Sequence, residues 1–164
     1  MKVLIFYDSF FGNTEEIAQS ISFELQQRHE VAMVKADAAT LDRLQNLDLI
    51  FVGSPTRGFA PTEVLTAFLK QVPAHSLTGV KAAVFDTRIP LEELRPALLR
   101  FAQKAAGYAD KKIAALLKPS GVEVLLPTEG FLVGGMEGPL KNGERERAAA
   151  WARSAVEAAE KKEG

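Results

Sequence analysis

Short apolar runs alternate along the chain with segments whose apolar residues recur every three or four positions. The runs are Lys2–Tyr7, Val31–Lys35, Leu49–Gly53, Val80–Phe85 and Val122–Leu126, with Phe131–Val133 a late continuation of the fifth. Leu49–Val52 and Ala82–Phe85 are apolar without alternation, as in strands covered on both faces. The second run is shorter and suits a sheet edge. Between the runs, Asn13–Gln27 places Ile17, Ala18, Ile21 and Leu25 on one helical face. Thr62–Gln71 groups Leu65, Phe68 and Leu69 behind Thr62, a predicted N-cap. Thr40–Leu47 offers only a short turn, and Leu91–Lys118 is a long Ala/Leu-rich region broken at Gly107. Glu144–Lys161 closes the chain with Trp151, Ala155 and Val156 on its inner face, and the tail Glu160–Gly164 reads as frayed. Alternation of this kind predicts one α/β domain over residues 1–164, a doubly wound parallel sheet with helices on both faces. Ligands of such sheets bind beyond the carboxyl ends of the strands.

The chemistry concentrates in three loops that follow apolar runs. Ser9-Phe10-Phe11-Gly12-Asn13-Thr14 leads from the first run into a helix. The first N–H groups of a helix lack internal partners and its dipole favours an anion there. Ser9, Asn13 and Thr14 add side-chain donors, and no Lys or Arg lies in the turn. That suits a monophosphate ester held without a metal; the plainer reading is a Ser9 or Asn13 helix cap. The Lys of a P-loop and the three glycines of a dinucleotide fingerprint are missing, which argues against ATP, GTP and NAD at this turn.

The second loop, Gly53-Ser54-Pro55-Thr56-Arg57-Gly58-Phe59-Ala60-Pro61-Thr62, is stiffened by two prolines and offers a flat ring in Phe59 and a cation in Arg57. It fits a planar ligand with polar edges; alternatively Phe59 packs into the core. The third, Asp86-Thr87-Arg88-Ile89-Pro90, reads as a strand-to-helix loop whose Thr87 and Arg88 complete the pocket, with Asp86 or Thr87 as a cap in the plainer reading. The glycines of Phe131–Leu140 read as a structured turn, with a place for part of this loop beside the pocket as the alternative, and His29 and His75 read as surface residues.

The first two loops in this element order resemble the flavodoxin-like FMN-binding family, of short-chain flavodoxin type. The family's first loop reads roughly Ser/Thr-x-Thr-Gly-Asn-Thr, matched at Ser9, Gly12, Asn13 and Thr14. Phe11 replaces a hydroxyl residue and looks more like the branch containing flavoprotein quinone reductases. The resemblance implies a five-stranded sheet of order 2-1-3-4-5 with FMN at the ends of strands one, three and four. It implies a phosphate on the backbone of Phe10–Thr14, with bonds from the side chains of Ser9, Asn13 and Thr14. Pro55, Thr56, Arg57, Gly58 and Phe59 would line the flavin, and Thr87 and Arg88 would approach its pyrimidine end or ribityl chain. Only residues 127–130 separate the halves of the fifth strand, as in the short-chain form. Unlike most flavodoxins, the third loop has no stacking aromatic and no acidic cluster, and carries Arg88 instead.

Composition narrows this further. With 164 residues, 47% hydrophobic and 25% charged, the chain has the make-up of one soluble domain. The absence of Cys excludes disulfides, thiolate catalysis and Cys-held metals. A net charge of −1 gives no global field for nucleic acid or an anionic membrane. No leader and no bilayer-length apolar stretch is visible, so a cytoplasmic location is expected. The expected function is electron transfer by bound FMN, without a side-chain acid or base. Two alternatives stay open: an NAD(P)H-dependent FMN quinone reductase, favoured by Phe11, Arg57 and Arg88, and a cofactor-free binding domain. Partners would be redox proteins or a small-molecule acceptor, and the chain a monomer or weak homodimer.

Overall fold

In the computed structural model, which describes residues 1–161, the apolar runs become strands β1 (Lys2–Tyr7), β2 (Glu30–Lys35), β3 (Leu49–Pro55), β4 (Lys81–Arg88), β5 (Glu123–Val124) and β6 (Glu129–Leu132). Every pairing is parallel. The order is β2-β1-β3-β4-β5, and β6 also pairs with β4. β5 and β6 are two halves of one fifth strand. β5 pairs with Lys81 and Ala82, and β6 with Phe85 to Arg88. The predicted doubly wound topology is therefore the one found, with β2 at an edge.

Two boundaries differ from the sequence reading. The interruption of the fifth strand is Leu125–Thr128, because Glu129 and Gly130 pair with Phe85 and Asp86. β4 runs on to Arg88, so Asp86 and Thr87 belong to the ladder and cap no helix. A strand can carry buried Asp86 because its carboxylate finds partners there.

The helices are α1 (Asn13–Leu25), α2 (Glu63–Gln71), α3 (Ala97–Ala106), α4 (Ala109–Leu117) and α5 (Glu144–Lys161). The Thr62 hydroxyl accepts the Leu65 amide at 3.4 Å, the predicted cap. Thr40–Leu47 yields a single 3-10 turn at Leu41–Leu44. The long region splits at Gly107 (φ +75°) into α3 and α4, after a 3-10 turn at Leu91–Glu93. Of the tail, residues 162–164 lie outside the described residues.

Strand residues alternate between two apolar layers. Val3, Ile5, Leu49, Phe51, Ala83 and Phe85 face α1 and α5, and Leu4, Phe6, Ile50, Val52, Ala82 and Val84 face α2 and α4. Trp151 of α5 meets Phe51, Phe85 and Phe131 edge-on, with centroids 5.4, 5.9 and 5.8 Å apart. Each such pair adds to area burial. Gly53 makes room for this cluster, since a Cβ there would overlap the ring of Phe85. That ring is wholly buried against Phe131 and Trp151 and has no open space to enter.

Gly53→Ala should therefore destabilise the fold by about 1–3 kcal/mol through overpacking. A fall in the chemical-denaturation midpoint at unchanged slope would show it; an unchanged midpoint would mean that the aromatic cluster yields freely.

Candidate functional site

The site follows from strand register. Tyr7, Gly53, Phe85 and Glu129 are paired across β1, β3, β4 and β6; β1 ends on this line, β3 runs on to Pro55 and β4 to Arg88, and β6 starts there and ends at Leu132 opposite Arg88. The loops beyond that line enclose a cleft of about 370 Å³. Every residue singled out from the sequence lines it except Gly12: Ser9, Phe10, Phe11, Asn13, Thr14, Pro55, Thr56, Arg57, Gly58, Phe59, Thr87 and Arg88. Gly12 serves the turn itself. Its φ of +94° is a left-handed conformation that favours glycine, and it stands at the α1 N-cap without a side-chain cap.

Ser9 organises the turn from inside, its hydroxyl accepting the amides of Gly12 at 3.1 Å and Glu15 at 3.4 Å. The Ser9 amide donates to the Asp8 carboxylate at 2.9 Å. The amides of Phe10, Phe11, Asn13 and Thr14 have no protein acceptor among the described residues. Thr14 is 1% exposed, so water cannot readily satisfy its amide. Its hydroxyl lies 2.7 Å from that of Thr87, joining the first and third loops. Four orphan N–H groups at a helix start are the donor set that an anion needs.

Side chains around the turn are arranged differently from the sequence reading. The Asn13 amide donates to the Glu137 carbonyl at 3.1 Å and packs where a Cβ on Gly138 would stand. Asn13 thus ties down the loop after β6. Arg57 lies over the rings of Phe10 and Phe11, at 4.1 and 5.4 Å. A cation from the second loop therefore stands beside a turn that has none of its own. Phe59 is half-buried at φ +65° and lines the cleft.

Arg88 is tightly held. Its Nε donates to Asp86 at 2.6 Å, its Nη2 lies 3.2 Å from Asp110, and the guanidinium stacks 3.9 Å above Tyr108. The Arg88 Nη2 and Asp110 Oδ1 atoms form an ion pair without hydrogen-bond geometry. Gly130 leaves the space that the guanidinium fills. Asp86 is wholly buried and also accepts the Thr56 hydroxyl at 2.5 Å. Burial pushes its carboxyl from 3.8 up to about 6, against the opposing pull of Arg88 and Thr56. Two carboxylates thus offset the one guanidinium of Arg88.

The cleft also has walls that the sequence reading missed. Leu94, Leu99 and Gln103, from the turn before α3 and from α3 itself, cover one side, and Val133, Gly135 and Met136 close another. The break at Gly107 is the signal that could have separated this wall from the core helix α4.

Comparison with known proteins agrees with this geometry. The family model described as Flavodoxin domain matches residues 4–90. Flavodoxin 1 and flavodoxin 2 from Bacillus cereus superpose with TM-scores of 0.73 and 0.72, at 21% and 24% identity. Each comparison covers 96% of this chain, with 98% and 99% of the respective partner. A flavodoxin from the domain Archaea superposes with a TM-score of 0.70 at 19% identity, over 98% of this chain and 99% of its own. No curated protein matches the chain by sequence. The chain belongs to the flavodoxin-domain family.

Asp86 gives a pH test. The folded state holds the Asp86 proton more tightly than the unfolded chain does, so its ionisation opposes folding. That opposition is absent at low pH and sets in as pH rises from the ordinary 3.8 through about 6. Asp86→Asn should therefore gain stability relative to the parent between pH 4 and 7, measured by chemical denaturation. A pH-independent difference would show that Asp86 titrates normally.

Proposed function

We propose that this flavodoxin-family chain binds FMN in the cleft and transfers electrons to a redox partner. The orphan amides of Phe10, Phe11, Asn13 and Thr14 carry the reading, because they form a phosphate cradle at the one cleft that the three strand-end loops share. FMN supplies the redox chemistry when bound, and the protein supplies binding, orientation and electrostatics.

The residues present fit that group. The phosphate would take the amides of Phe10, Phe11, Asn13 and Thr14 and the Thr14 hydroxyl, with Arg57 adding positive charge nearby. Asn13 contributes its amide and fixes the loop beyond β6 through its side chain. Pro55, Thr56, Gly58 and Phe59 would line the ring, with Leu94 and Leu99 adding apolar wall to the same cleft. Thr87 holds Thr14 in place, and Arg88 presents a guanidinium already balanced by Asp86 and Asp110. That balance weakens the pull of Arg88 on a negatively charged ring. The strongly favourable effect of a free arginine on reduction is not expected here.

Binding to the apo protein should distinguish FMN from riboflavin, as measured by calorimetry or by quenching of flavin fluorescence. Thr14→Ala should weaken FMN by about 1.5–3 kcal/mol, the scale of a hydrogen bond to a charged group. Riboflavin affinity should hardly change. Equal affinity of the parent protein for both flavins would remove the phosphate cradle from the reading.

A further inference from the structure

Helix α3 has its apolar face outward. Its buried residue is the polar Gln103, which lines the cleft and donates to the Gly107 carbonyl. Leu98 and Phe101 stand 78% and 80% exposed. Spacings of three and four place Leu98, Phe101, Ala102 and Ala105 on one stripe, and all four are exposed. Residues 95–104 contain Arg95, Arg100 and Lys104 and no acid. None of these three cations has an ion-pair partner among the described residues. Of the two acids just before the helix, Glu93 is engaged by Lys141 and Glu92 is in no ion pair among the described residues, so unpaired cations outnumber unpaired acids three to one over residues 92–104.

We propose that α3 is a peripheral anchor that seats the protein on an anionic lipid surface. Leu98 and Phe101 enter the boundary of the acyl chains, and Arg95, Arg100 and Lys104 lie among the headgroups. Charge selects the occupant, since three unpaired cations flanking an apolar stripe call for a negative surface. Shape selects lipid over protein. The two large side chains project instead of lining a groove, and the rest of the stripe, Ala102 and Ala105, is alanine, with no polar group to be read by a partner. A bilayer accepts projecting apolar groups without a complementary pocket. The near-neutral whole chain, which gave no expectation of membrane contact, conceals this local excess of positive charge. Among the described residues no helix is long and apolar enough to cross a membrane, so the contact is interfacial.

The purified protein should co-sediment with vesicles of phosphatidylcholine and phosphatidylglycerol at low salt. It should not do so with phosphatidylcholine alone or at high salt. The double variant Leu98→Ser, Phe101→Ser should lose at least about tenfold in partitioning, and Lys104→Gln about fivefold. All three positions are exposed and outside the cleft wall, so circular dichroism and flavin binding should match the parent. No binding to the anionic vesicles at low salt would overturn the proposal, as would binding that the double variant retains. Self-association abolished by the double variant would also overturn it, by assigning the stripe to a second copy of the chain.

Discussion

The cleft exists because parallel strands bring their carboxyl ends to one margin of the sheet, within a few residues of a common row. The row Tyr7, Gly53, Phe85 and Glu129 is fixed by backbone ladders, and each loop departs within a few residues of it. A slip of one residue in any pairing would turn the strand's apolar set from one helix layer to the other. The two layers thus enforce the register, and the register brings the loops together. Gly53 sits in that row, where the absence of a side chain lets Phe85 fill the layer beneath. The carboxyl ends of the strands are therefore rigid while the loops above them remain free to specialise.

Charge in the site is organised by pairing. Arg88 lies between two carboxylates and an aromatic ring, and Thr56 connects the same network to the second loop and, through the Ala109 amide, to the start of α4. A buried charge of this kind survives only with its partners in place. The network therefore fixes how β3, β4 and α4 meet under the cleft, in addition to any effect on a ligand. Arg57 is held differently, by the faces of two rings and not by an acid, and keeps its positive charge near the phosphate turn.

Much of the fold was legible because its signals are local. The Lys2–Tyr7 run, the Thr62 cap and the apolar stripe of α1 each need only neighbouring residues to be recognised. The turn Ser9–Thr14, with its unpaired amides at a helix start, was legible for the same reason. What the sequence concealed depends on distant partners. Asp86 looked like a loop residue because a buried aspartate in a strand makes sense only once Arg88 and Thr56 bond to it. Asn13 looked like a free donor until Glu137, far along the chain, claimed its amide. The wall formed by Leu94, Leu99 and Gln103 was hidden in a long Ala/Leu-rich region whose break at Gly107 does not say which part faces the cleft.

The divided fifth strand has a consequence at the sheet's margin. A continuous outer strand would offer an uninterrupted row of amides and carbonyls to another polypeptide, the template on which sheets extend between molecules. Here that margin is a two-residue strand and a four-residue strand separated by Leu125–Thr128, with Pro127 in the gap unable to donate. At the opposite margin, β2 begins with Glu30 and ends with Lys35. Both borders of the sheet are thereby blunted against edge-to-edge aggregation, by fragmentation on one side and by charge on the other.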